Sequence, residues 1–348
     1  MRAGKKRMDI YKRTVDDLAD LLGSTKQELD AAEKRFDDVP RAKEYLLARQ
    51  KSLFPRMDDF WAQLWKEQQE MRPEEHEECQ KYLRRTIHPL AKENIEVNER
   101  IYDKPFGYPG DFVVMNYIYD HHTGKMFGKT LYEMLINSYT CGLPISRSNV
   151  VRKEFYKNKI SEVDSKRRSS RVMSVGGGSL RELTELISAE KLDGMVNFTS
   201  IDFEKRAIEY VKNKMSSFPN DLADRLSLDF IYMDVRDIIR RKELGAGEQD
   251  LIYAAGIFDY LGERISRRLL KNLFEDLKPG GELYLCNISD KNTHRAYYET
   301  LGDWIMFHRN VDILRNWTED LRGIAGIEYP APENGDGYVY MKLTKNAD

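Results

Sequence analysis

Three glycines and two carboxylates carry the most specific chemistry in this chain. Val175-Gly176-Gly177-Gly178-Ser179-Leu180-Arg181 joins a short apolar run, Val172 to Val175, to a helical pattern over Glu182 to Ile187. Glycines at such a turn let the backbone approach a ligand closely. The carboxyl edge of a doubly wound sheet is where its ligands bind. A second apolar run ends in Ile201-Asp202-Phe203. A carboxylate there can accept both hydroxyls of a ribose, and Phe203 can wall an adenine. A third run ends in Tyr232-Met233-Asp234-Val235. Asp234 is placed to accept from an exocyclic amine of adenine, with Val235 beside it. A fourth run leads into Ala254-Ala255-Gly256-Ile257-Phe258-Asp259-Tyr260, where Ala255 and Gly256 leave room for a bound cofactor. Four strand ends on one edge of a parallel sheet would gather these groups around a single adenosine.

The elements needed to hold them in place appear in the same order. From Arg171 onward strand and helix patterns alternate, with helices over Ala207 to Lys214 and Arg264 to Leu277 and a fifth strand over Glu282 to Ile288. Such alternation predicts an α/β fold, a Rossmann-like, mostly parallel sheet covered by helices. After a largely helical stretch from Tyr297 to Leu321 come two more strand candidates, 327–329 and 337–343. They would supply a closing antiparallel strand.

The first part of the chain reads as all-α. Tyr11, Val15, Leu18 and Leu22 recur at helical spacing. Ser24 and Thr25 offer an N-cap for a charged helix reaching about Gln50. Phe60, Trp61, Leu64 and Trp65 form an aromatic stripe that reads as core. Pro73 with Glu74 and Glu75 after it is a helix start, and Pro89 should break or kink the helical stretch beyond it. Pro105-Phe106-Gly107-Tyr108-Pro109-Gly110-Asp111 is a tight loop. A charged helix is expected from about Val150 to Ile160. The predicted division is a helical domain over 1–150, acting as a substrate cap, lid or dimer surface, and a cofactor domain over 151–348.

Composition sets the limits. The 348 residues are 41% hydrophobic and 33% charged, with a net charge of −2. No global basic field favours nucleic acid. Cys79, Cys141 and Cys286 are too few and too scattered for a disulfide framework or a zinc site, so no metal is expected. No apolar run approaches a membrane span. The basic start, Met1 to Arg7, lacks the apolar stretch of a signal peptide and reads as a solvated tail. A reduced cytoplasmic setting fits these features. A nicotinamide dinucleotide site is disfavoured, because the sixth position of G-x-G-x-x-G is Arg181. No phosphate-binding P-loop motif occurs.

The glycine loop, Asp202, Asp234 and Leu277-Lys278-Pro279-Gly280-Gly281-Glu282-Leu283 resemble the class I S-adenosylmethionine-dependent methyltransferases over about residues 165–345. Ser174 stands where the usual loop has an acidic residue, and Leu180 where it has a third glycine. Glu182 could take over a contact to the methionine amino group. Phe106 to Asp111, Ala255 to Leu261, Gly302-Asp303-Trp304 and His308-Arg309 are similar to the bacterial methyltransferases that make 3-hydroxy fatty acid methyl esters, such as the 3-hydroxypalmitate methyl ester. This resemblance implies S-adenosylmethionine as cofactor, S-adenosylhomocysteine as product and an acyl carboxylate as acceptor.

A carboxylate nucleophile needs no base but calls for a guanidinium to orient it. Arg147 and Arg309 are the candidates. A hydroxyl or amine nucleophile needs a base, and His308 leads. Asp259 and Tyr260 should lie where substrate and sulfonium meet. Tyr108 and Asp111 could close over the cofactor. A weakly catalytic scaffold that keeps the cofactor fold, and methylation of a protein, remain rival readings.

Overall fold

The computed structural model describes residues 2–35, 39–189, 192–218, 225–240 and 245–347. The chain divides into two compact units. One combines Met1–Arg147 with Thr293–Ile305; the other combines Ser148–Asn292 with Met306–Asp348. The segment Thr293–Ile305 thus lies inside the range 151–348 yet belongs with the helices.

The helical unit is built from α1 (Arg2–Glu33), α2 (Val39–Gln68), α3 (Pro73–Ala91), α4 (Glu96–Asp103), α5 (Phe112–His122) and α6 (Leu131–Gly142). The spaced apolar residues Tyr11, Val15, Leu18 and Leu22 are all buried. Burial of one apolar stripe is what stabilises such helices. In the aromatic stripe Trp61 and Leu64 are fully buried, and Trp61 meets the Tyr297 ring edge-on at 5.1 Å.

Three expectations do not hold. The basic start is helix from Arg2, not a tail. Ser24 and Thr25 lie inside α1, where their hydroxyls donate back to the Leu21 carbonyl; that bond competes with the capping role. The stretch 297–321 is not one helix. It holds a π-helical turn, Tyr297–Leu301, and a later short helix.

Asn98 donates to the Tyr297 hydroxyl at 2.9 Å. Arg84 and Lys104 both bind Asp303, at 2.9 and 2.5 Å. These polar ties hold the returning segment in the helical unit. Trp304 fills the space against Gly110, whose φ is +68°. A Cβ at Gly110 would collide with the Trp304 ring, whereas one at Gly107 (φ +86°) meets nothing within 4 Å.

The helix α7 (Pro144–Ser165) contains the boundary at 147/148. The second unit continues as β1 (Ser169–Val175), α8 (Arg181–Ser188), β2 (Met195–Asp202), α9 (Lys205–Met215), β3 (Leu226–Tyr232), α10 (Val235–Ile239), β4 (Gln249–Ala255), α11 (Glu263–Glu275), β5 (Leu277–Ile288), α12 (Val311–Asn316), β6 (Ile324–Glu328) and β7 (Tyr338–Lys345). The sheet order is β3-β2-β1-β4-β5-β7-β6. Strands β1 to β5 pair in parallel, and β7 runs antiparallel to both β5 and β6. This is the expected Rossmann-like, mostly parallel sheet with its reversed closing strand. The central strands are apolar because they are buried on both faces. Val172, Leu251, Ile252 and Leu283 are all inaccessible.

Substituting Gly110→Ala should cost about 2–4 kcal/mol, from left-handed strain plus the clash with Trp304. Gly107→Ala should cost only about 1–2 kcal/mol, from the strain alone. Urea denaturation of the two variants checks the difference; equal losses would show that Trp304 does not constrain the loop.

Candidate functional site

The site is built at the carboxyl edge of β1, β2, β3 and β4. After β1 the chain turns through Gly176 (φ +73°) and Gly178 (φ +55°), and Leu180 (φ +43°) caps α8. A side chain at Gly177 would collide with the Ser200 hydroxyl, so the loop lies close over β2. Gly176 N–H donates to the Ile201 carbonyl at 2.9 Å.

Asp202 completes the junction. Its Oδ2 accepts from Gly178 N–H at 2.8 Å, and its Oδ1 accepts from Glu204 N–H at 2.8 Å. Each oxygen keeps a further acceptor position. Burial pushes the carboxyl up, against the pull of the Glu204 and Gly178 N–H groups. On the adjacent strand Met233 N–H donates to the Asp202 carbonyl at 3.0 Å, which sets Asp234 one residue beyond. Phe203 and Tyr232 are 47% and 59% exposed. Large aromatic rings left uncovered at a ligand-binding edge are informative, because such rings are usually buried.

Asp234 is the N-cap of α10 and accepts from Arg236 N–H at 2.8 Å. The Arg236 guanidinium holds its carboxyl below the usual range. Val235 begins that helix. Beyond β4, Ala255 and Gly256 (φ +101°) are half-buried. A Cβ on Gly176 would touch Ile257 at 3.7 Å, so the loops after β1 and β4 adjoin.

Several sequence candidates have other work. Glu182 accepts from the buried Tyr253 hydroxyl at 2.5 Å, and burial pushes its carboxyl up. Arg309 is not placed to grip a substrate. It is 2% exposed. Its guanidinium donates to Glu263, the Phe258 carbonyl, the Asn287 side chain and the Leu261 carbonyl, at 2.5–2.8 Å. Four of its five N–H groups are thereby used, and it braces the turn after β4. His308 donates from Nδ1 to the Met306 carbonyl at 3.1 Å, and its Nε2 lies 3.3 Å from the Asn292 amide nitrogen. Asp111 is the N-cap of α5 and pairs with Arg100 at 2.8 Å; it is committed within the helical unit. Tyr108 is half-buried in that unit, and Arg147 is exposed there.

Asp259 and Tyr260 lie in the short turn Phe258–Tyr260 that follows β4. Asp259 is 3% exposed. Its Oδ1 accepts from Ile288 N–H at 2.6 Å. Burial pushes its carboxyl up to about 7, against the attraction of Arg152, the Ile288 N–H and Arg309. Tyr260 and Phe307 are 41% and 51% exposed, and Phe307 N–H donates to the Asp259 backbone carbonyl at 2.8 Å.

Arg152 is a site residue that the sequence patterns do not single out. It lies on α7, is 6% exposed, and its guanidinium sits 4.6 Å from the Tyr338 ring centre. A Cβ on Gly256 would be 3.0 Å from its Nη1. A signal exists: Arg152, Tyr156 and Ile160 recur every four residues and share a buried face. Reading 150–160 simply as a charged helix hides it.

No family model matches the sequence, and no curated protein matches it. Among solved structures the chain is similar to a Bordetella parapertussis protein described as a possible exported protein, at 16% identity, covering 68% of this chain and 80% of that one, with a TM-score of 0.54. That likeness is one of fold. Looser similarities include the N-methyltransferase NodS of Bradyrhizobium japonicum WM9 in complex with S-adenosylhomocysteine (17% identity, 58% and 88% covered, TM-score 0.39). Another is the magnesium protoporphyrin IX methyltransferase ChlM of Synechocystis PCC 6803 with bound S-adenosylhomocysteine (11% identity, 72% and 98% covered, TM-score 0.44). These two superpose too loosely to carry an argument. Among the described residues no helix is long and apolar enough to cross a membrane, and no cluster of metal-ligating side chains occurs.

Arg309→Ala should destabilise the protein by at least about 2 kcal/mol, because it strands buried carbonyl acceptors. The midpoint of urea unfolding checks this. A variant as stable as the parent would make Arg309 a substrate-facing candidate again.

Proposed function

We propose that this protein is an S-adenosylmethionine-dependent methyltransferase acting on a small-molecule acid. The observation that carries the reading is the hydrogen bond from Gly178 N–H to Asp202, which joins the glycine turn to the carboxylate expected at a ribose. The residues present fit the cofactor. Gly176, Gly178 and Gly256 lie at positive φ and keep the backbone bare where the ligand would approach. Asp202 retains acceptor capacity for ribose hydroxyls, Asp234 for the adenine amine, and Phe203 offers an apolar wall.

When bound, the sulfonium supplies an electrophilic methyl group for in-line displacement. The protein's own part is alignment and exclusion of water. Arg152 joins Arg147 and Arg309 as a candidate guanidinium, placed beside the end of β4. Tyr260, Ile265 and Phe307 suit the apolar body of an acceptor and a dry site. Asp259, with its carboxyl near 7, favours a second reading, in which it serves as base for a hydroxyl acceptor.

Purified protein should release S-adenosylhomocysteine or S-adenosylmethionine on denaturation, seen by mass spectrometry. Asp202→Ala should weaken S-adenosylhomocysteine binding by about 1–3 kcal/mol, measured by calorimetry. Unchanged affinity would remove the ribose from this carboxylate. Methyl transfer to a panel of free acids, and its absence on the corresponding alcohols, would separate the two acceptor readings.

A further inference from the structure

Between β6 and β7 the chain runs Pro332-Glu333-Asn334-Gly335-Asp336-Gly337. It holds the one Asn-Gly pair of the sequence. Glu333, Asn334 and Asp336 are exposed. Asn334 sits in the left-handed region at φ +58°, which asparagine tolerates better than most residues. Among the described residues its side chain makes no hydrogen bond. Gly335 lies under the turn, against the Pro332 carbonyl and Val151. Its N–H donates to that carbonyl at 3.0 Å. Glycine has no Cβ to shield its amide nitrogen, so this one turn bond is what keeps the nitrogen from the Asn334 side chain. Local opening of an exposed turn costs little. Asp193-Gly194 and Asp336-Gly337 are held more firmly, from outside their turns. Gly194 N–H donates to the buried Asp164 carboxylate at 3.1 Å. Gly337 N–H donates to the Ser148 hydroxyl at 3.1 Å, and its carbonyl accepts from Ser289 N–H at 2.8 Å.

We propose that Asn334 is a site of spontaneous modification, where the side chain closes onto Gly335 and the chain passes to aspartyl and isoaspartyl forms. Gly335 N gives up its proton and attacks Asn334 Cγ. The N–Cγ bond forms, the Cγ–Nδ2 bond breaks, and Nδ2 leaves as ammonia with one added proton. Water then opens the five-membered imide. Opening at Cγ restores the main chain and leaves an aspartate. Opening at the backbone carbonyl carbon routes the chain through Cβ and Cγ and leaves an isoaspartate. Nothing is oxidised or reduced, and water is the one co-reactant. Both products carry a new negative charge at neutral pH. The isoaspartyl form also lengthens the main chain by a methylene, so the Pro332–Gly335 turn loses its register. Gly337 and Tyr338 follow at once, anchored to Ser148 and Asn149 at 3.1 and 2.8 Å. The extra length therefore falls directly before the start of β7. This inference is independent of the methyltransferase reading.

Peptide mass mapping of the aged, intact protein tests it. The folded chain is held for weeks at pH 8 and at pH 6, then digested. The peptide carrying Asn334 should gain about one dalton as its amide becomes an acid, and should do so before any other asparagine converts. The gain should be faster at pH 8, where the attacking nitrogen loses its proton more readily. Part of the product should accept methyl groups from an added isoaspartyl-specific methyltransferase. Freshly purified Asn334→Asp supplies the charge without the longer chain. The aged, more acidic fraction should unfold at a lower urea concentration than that variant. An Asn334 that stays intact in the folded chain while it converts in urea overturns the proposal, as does earlier conversion at another asparagine. An aged fraction as stable as Asn334→Asp overturns the effect at the start of β7.

Discussion

One carboxylate holds the carboxyl edge of the sheet together. Asp202 binds the N–H of Gly178 on the loop after β1 and the N–H of Glu204 on its own turn, while its carbonyl accepts from Met233 beyond β3. Three consecutive strand ends are thus tied to one residue. A buried carboxylate is costly unless hydrogen-bonded, and these N–H groups are what make its burial tolerable. The turn can then carry three glycines without losing its shape. Backbone entropy that glycine would otherwise cost is offset by fixing the loop from the neighbouring strand.

A second buried ionic centre braces the far side of the same edge. Arg309 gathers the Phe258 and Leu261 carbonyls and the Asn287 side chain, and Trp317 shares its partner Glu263. The turn after β4 therefore has a rigid outer wall. The Arg309 guanidinium has nearly all its donors spent on the turn it braces.

The sheet was legible because period and composition agree there. Apolar runs at 172–175, 196–201, 228–232, 250–254 and 282–288 fall within β1 to β5, and the stretches around 327 and 340 fall in β6 and β7. The glycine loop was legible for the same reason: glycines and acids at strand ends have few local uses. Side chains that face inward from a helix were not. Asp111 and Arg309 sit in motifs that invite a functional reading, yet each is consumed by partners far away in sequence or by a local cap. Ser24 and Thr25 have capping chemistry but lie inside an uninterrupted helix, where packing of the α1 stripe outweighs the local preference. The π-helical turn at Tyr297–Leu301 has no simple periodic signature, so the segment around it read as an ordinary helix.

That segment has a consequence for how the chain is made. Thr293–Ile305 supplies the helical unit with Tyr297, whose hydroxyl meets Asn98, and with Asp303, which meets Arg84 and Lys104. A ribosome delivers those residues only after β1 to β5 have been synthesised. The first six helices to emerge must therefore wait, with Trp61 still lacking its aromatic neighbour, until late translation closes their core. Genetic fusion that cut the chain at residue 147 would sever the domain from a part of itself.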